Sequence, residues 1–131
     1  MTKNAIEETE DLVEKFASWV KDKTILKQVD DTWMEITTPN LDRHNDYLQI
    51  YVRRDGDHYL LTDDGYAIND LEMSGCNLKS QNKQELLNTI LMGFGAQLED
   101  DRLVIKATKD NFPINKHNLL QAMITVSDMF F

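Results

Sequence analysis

Y-L-Q-I-Y-V-R-R-D-G-D-H-Y-L-L-T, residues 47–62, carries the pattern on which the fold turns. In an extended chain Leu48, Ile50 and Val52 share one face, while Tyr47, Gln49, Tyr51 and Arg53 share the other. Asp55-Gly56 is a tight-turn pair, and residues 58–62 return as the partner strand. The stretch therefore predicts an antiparallel hairpin with one buried face.

Working upstream, T-W-M-E-I-T-T (32–38) is rich in β-formers, and Pro39 is expected to end it. Residues 32–62 thus predict a three-strand meander. Residues 4–22 predict a helix, with Ile6, Val13, Phe16 and Val20 on one stripe that Leu12 and Trp19 widen. Asn4 and Glu7 make a capping-box pattern there, and acids lead while lysines close. Downstream, T-D-D-G (62–65) stops the hairpin. A short helix follows at 66–74, with Gly75 suited to the position after it. A helix over 83–94 is expected behind an Asn82/Glu85 cap. Residues 97–99 and 103–107 predict a second hairpin around Asp100-Asp101. The last helix, 115–131, has an apolar set too wide for one stripe, so part of it is expected to cover a sheet and part to meet another subunit. The order α-βββ-α(α)-ββ-α predicts an α+β fold, an antiparallel sheet of about five strands flanked by helices. Without repeats, low-complexity tracts or linkers, residues 1–131 read as one domain.

A chain of 131 residues is long enough to bury one core. No run approaches the ~18 apolar residues of a membrane span, and the N-terminus has no signal-like apolar stretch. The lone Cys76 fits a reducing compartment, and a cytoplasmic location is expected, away from membranes. The net charge is −9. Phosphate backbones are bound by clustered Lys and Arg, so no nucleic-acid partner is expected. Residues 32–75 hold nine acids and three bases, whereas residues 76–131 hold six of each. The acidity therefore concentrates over the predicted meander, either for solubility or as an acidic face for a basic partner.

The most distinctive segment is L-T-D-D-G-Y-A-I-N-D-L (61–71). Asp63 and Asp64 can serve as turn and cap carboxylates, with Gly65 in a strained turn. Alternatively, Asp46, Asp63 and Asp64 converge at strand ends and hold a divalent cation; the sequence leaves metal binding open. A metal-dependent nuclease would want a lysine two residues after an acid, and no lysine here stands so. Asp42-Arg43-His44-Asn45-Asp46 lacks metal-loop spacing and reads as a solvated loop. Ser74-Gly75-Cys76 lies in no nucleophile signature, and no phosphate-binding fingerprint is present, so no catalytic residue and no cofactor is assigned. Trp33, Tyr47, Tyr51 and Tyr59 either pack across strands or form a binding surface.

Several stretches resemble a known family: W-M-E-I-T-T-P (33–39), D-R-H-N-D-Y-L-Q-I-Y-V (42–52), Y-L-L-T-D-D-G-Y (59–66), L-E-M-S-G-C (71–76), G-F-G-A-Q-L (93–98) and K-H-N-L-L-Q-A-M (116–123). Together they resemble the domain of unknown function 1828 family, over about residues 30–131. The resemblance implies short proteins of Gram-positive bacteria, their phages or mobile elements, and it carries no reaction, cofactor or catalytic residue. A looser likeness, of element order only, is to class I secretion chaperones. The expected function is a non-catalytic, acidic protein-binding or regulatory module, for example an inhibitor of a host defence protein. A homodimer is expected, with contacts through Met129 and Phe130 of the last helix or through the sheet face bearing Trp33, Tyr47 and Tyr51. The alternative is a small metal-dependent hydrolase or nuclease built on the clustered carboxylates.

Overall fold

The structure, a computed structural model, describes residues 4–131. Along the chain run α1 (Ala5–Lys23), β1 (Ile25–Gln28), β2 (Trp33–Leu41), β3 (Tyr47–Asp55), β4 (His58–Thr62), α2 (Tyr66–Met73), α3 (Gln81–Gly93), β5 (Gln97–Glu99), β6 (Arg102–Ala107) and α4 (Phe112–Ser127), closed by a 3₁₀ turn over Asp128–Phe130. All neighbouring strands pair antiparallel, in the order β1-β2-β3-β4-β6-β5. The α+β class and the meander are as expected, with six strands among the described residues rather than about five.

The added strand is β1, which pairs Leu26 with Ile36 and Gln28 with Met34. Four residues are too few to show alternation, but the turn after them is specific. Asp30 Oδ1 accepts from the Thr32 and Trp33 N–H groups, both at 2.8 Å. Those two donors hold the Asp30 carboxyl below its ordinary value.

The alternation in β3 sets the core. Leu48 and Ile50 are buried, and Ile50 pairs with buried Ile36 of β2. Leu61 of β4 pairs with Ile105 of β6, and both are buried. Helices α2 and α4 pack on β6, α4 also meets β4, and α3 meets β5. Leu71, Leu87, Leu91, Leu119, Met123 and Val126 supply the helical side of the core. Burying each such side chain contributes about 1.5–3 kcal/mol.

Several boundaries differ from expectation. Strand β2 runs on through Pro39, because its register with β3 shifts between Thr37 and Leu41. Proline is tolerated at such a bulge, where no ladder N–H is required. Beside it, the buried Thr38 hydroxyl donates to the Leu48 carbonyl at 2.8 Å. Helix α3 starts earlier than expected: its cap is Ser80, whose hydroxyl accepts from the Lys83 N–H, and Asn82 lies inside the first turn. Helix α4 also starts early, with Pro113 in the first turn, where a missing N–H costs nothing. Its wide apolar set goes largely into the core, since it packs on the sheet and on α2 and α3.

Helix α1 has the predicted cap: the Glu7 N–H donates to Asn4 Oδ1 at 2.9 Å. Its stripe is nonetheless not buried, and no α1 residue is.

Candidate functional site

The D-D-G segment is a structural joint. Asp63 follows the last residue of β4 and is buried. Its Oδ1 accepts from the N–H groups of Gly65 and Leu103, and its Oδ2 from the N–H of Ala67, all at 2.9 Å. One carboxylate thus joins the end of β4 to the first turn of α2 and the start of β6. Burial pushes its carboxyl above the ordinary value, against the pull of those donors. The turn closes with two left-handed residues, Asp64 at φ 56° and Gly65 at φ 85°. A Cβ at Gly65 would meet Arg102 Cγ and the Asp101 carbonyl oxygen at an ordinary 3.7 Å. Gly65→Ala is therefore opposed by backbone conformation alone. It should lower stability by about 1–2 kcal/mol, read as a drop of about 3–8 °C in thermal unfolding.

The 42–46 loop is not simply solvated. Asp42 Oδ1 accepts from the His44 and Asp46 N–H groups at 2.8 and 3.0 Å, and its other oxygen accepts from the Tyr66 hydroxyl. Partial burial opposes ionisation of Asp42. The Tyr66 hydroxyl, the two N–H donors and the nearby His44 outweigh it and hold the carboxyl below its ordinary value. Burial, then the Asp42 contact, raises the Tyr66 hydroxyl. Arg43 Nη2 donates to Asp70 Oδ2 at 2.9 Å and to Ser74 Oγ at 2.6 Å, and His44 Nε2 meets Asp70 Oδ1 at 2.8 Å. The Arg43 guanidinium also lies 4.2 Å above the Phe130 ring. Loop, α2 and the C-terminal turn are thereby linked. Sequence reading missed this because its partners lie 24 to 31 residues apart.

Above this joint, two hollows meet at Tyr51. The larger, a cleft of about 430 Å³, is lined by Thr37, Asp46, Tyr47, Leu48, Gln49, Tyr51, Asp63 and Tyr66. The smaller, about 170 Å³, is lined by Val29, Asp30, Trp33, Tyr51, Thr62, Asp64 and Arg102. Trp33, Tyr47 and Tyr51 therefore share one surface with Asp46, Asp63 and Asp64, whereas Tyr59 packs against the core beside Val52 and Phe112. Asp46 and Asp63 are on one side of Tyr51, and Asp64 and Trp33 on the other. The expected convergence of all three carboxylates is not seen. Among the described residues, no group of three His, Cys, Asp or Glu is placed to hold a metal ion.

Cross-strand contacts fix the cleft wall. The Tyr51 hydroxyl donates to Glu35 at 3.2 Å, Gln49 Nε2 donates to Thr37 Oγ1 at 3.1 Å, and the Arg53 guanidinium lies 5.0 Å from the Trp33 ring centre. Burial, then Glu35, raises the Tyr51 hydroxyl. Tyr47 at the rim is 61% exposed. The other expected contact residues lie elsewhere: Met129 packs against the core, and Phe130 sits under Arg43.

The family model for the domain of unknown function DUF1828 matches residues 38–126, from the bulge of β2 to the end of α4. The chain belongs to this family. No curated protein and no solved structure matches it. The DUF1828 segment contains the D-D-G joint, the Arg43–Asp70 link and most of the larger cleft, whereas α1 and β1 precede it. Among the described residues, no helix is long and apolar enough to cross a membrane.

Proposed function

We propose that the chain is a non-catalytic, acidic protein-binding module that takes a basic side chain of its partner into the cleft at Tyr51. The observation that carries this reading is the cleft's lining: three tyrosines and the Asp46 carboxylate, with no lysine or arginine among the described residues, while the buried Asp63 carboxylate at its floor is taken up by its three N–H donors. Tyrosine faces attract a cation, and the Asp46 carboxylate pairs with it. The Gln49 and Tyr51 side chains of the wall are already bonded to Thr37 and Glu35, so this part of the wall is preorganised. In the phage or mobile-element setting that the family resemblance implies, the partner is a host protein and the role regulatory.

A titration of the isotope-labelled protein with short capped peptides, containing arginine, glutamine or glutamate at the centre, tests this. The arginine peptide should bind saturably and shift the Tyr47 and Tyr51 resonances. Asp46→Asn should weaken it about five- to ten-fold, and 0.5 M salt should weaken it further. Equal binding of the glutamate peptide, or shifts confined to other surfaces, would sink the proposal.

A further inference from the structure

Helix α1 exposes what an amphipathic helix ordinarily buries. Ile6, Val13 and Phe16 are 71%, 59% and 64% exposed, and Leu12 and Trp19 are exposed beside them. Its main contact is with β2, and exposed Ile25 and Leu26 of edge strand β1, one on each face of the sheet, follow it in the chain. A 19-residue helix is about 28 Å long, and packing rather than propensity stabilises most helices of such length. Apolar surface of this extent marks an interaction site.

The charge pattern of α1 says what covers it. Glu7, Glu8, Glu10, Asp11 and Glu14 occupy its first half, and Lys15, Lys21 and Lys23, against the single acid Asp22, its second. A parallel neighbour of the same kind would stack acids on acids. An antiparallel one places each acidic half against the partner's basic half and also opposes the helix dipoles. Glu10 and Lys21 are eleven residues apart, three helical turns, so they flank the apolar stripe in one line. In a two-fold arrangement Glu10 of each copy faces Lys21 of the other. Facing stripes would cover on the order of 1,000 Å², the lower end of a stable interface. The six acids and three lysines of α1 disfavour an anionic lipid surface as occupant.

We infer that α1 is a homodimerisation helix that pairs antiparallel with α1 of a second copy. This interface is independent of the Tyr51 cleft, and either can fail alone.

The test is the mass of the full chain by analytical ultracentrifugation across 1–200 μM. Wild type should be a dimer over the upper part of that range. Phe16→Glu should be monomeric with an unchanged circular dichroism spectrum at the β-sheet minimum, because no core contact is touched. Glu10→Lys and Lys21→Glu should each weaken the dimer about five- to ten-fold, since the pair occurs twice, and the double variant should regain wild-type affinity. A wild-type monomer at 200 μM overturns the inference. So does a dimer that survives Phe16→Glu but is lost in Phe130→Glu, which would place the contact on the C-terminal turn. Failure of the double charge reversal to restore affinity overturns the antiparallel arrangement.

Discussion

Asp63→Ala is expected to remove about 3–5 kcal/mol of stability, lowering the unfolding midpoint by 10 °C or more. Three backbone N–H groups, those of Gly65, Ala67 and Leu103, lose their acceptor at a site that water does not reach. Each buried donor left unpaired costs about 1–3 kcal/mol, and partial relaxation holds the total below their sum. Asp63→Asn separates the contributions. Its remaining oxygen can still accept from Gly65 and Leu103, but its amide faces the Ala67 N–H, so the loss should be about half as large. The carboxyl of Asp63 is raised in the native state by burial, so the native state binds its proton more tightly than the unfolded chain. That contribution is fully present below the ordinary carboxylate value and is lost as pH rises through the native one. The stability gap between wild type and Asp63→Asn should therefore widen as pH falls. Chemical denaturation of the three proteins at several pH values measures both effects. Wild-type stability in Asp63→Ala would contradict the joint role assigned to this side chain.

Arg43→Ala should be the next most damaging, at about 2 kcal/mol, or about 6–8 °C. It removes two charge-assisted hydrogen bonds, to Asp70 and Ser74, and uncovers the Phe130 ring. The figure is discounted because the Arg43 and Asp70 side chains remain 13% and 18% exposed. Arg43→Lys should recover less than half, because a single ammonium cannot bridge Asp70 and Ser74 while lying flat on the ring. Hydrogen exchange should speed up at the His44 and Asp46 amides, which the Asp42 carboxylate holds in the same loop. A loss under about 0.5 kcal/mol with unchanged exchange would return the loop to the solvated segment that its sequence suggests.

The two variants mark where local and tertiary information part. The β3–β4 hairpin, the Gly65 turn, the Asn4 cap and the β5–β6 hairpin were readable because each is decided within a few residues, by alternation, a left-handed turn or a side chain bonding its own neighbourhood. Strand β1 escaped because four residues carry too little period, although the Asp30 turn behind it was a usable signal. Asp63 was recognisable as a turn carboxylate. Its third donor, Leu103, lies 40 residues away and enters reach only when β4 pairs with β6. Asp46, Tyr47 and Tyr51 were singled out one by one, yet only the meeting of β2, β3 and the first turn of α2 makes them one cleft.

By itself, then, the sequence determined the helices and the strands other than β1, the antiparallel class and the family, because periodicity and turn chemistry are properties of near neighbours. The tertiary structure decided which stripe is spent inside the molecule. The last helix, expected to turn part of its apolar set to another subunit, places most of that set against the sheet, α2 and α3 and leaves Phe130 and Phe131 exposed, while the stripe of α1 stays uncovered. An amphipathic pattern states that a face needs burying, and only packing determines whether this chain or another covers it.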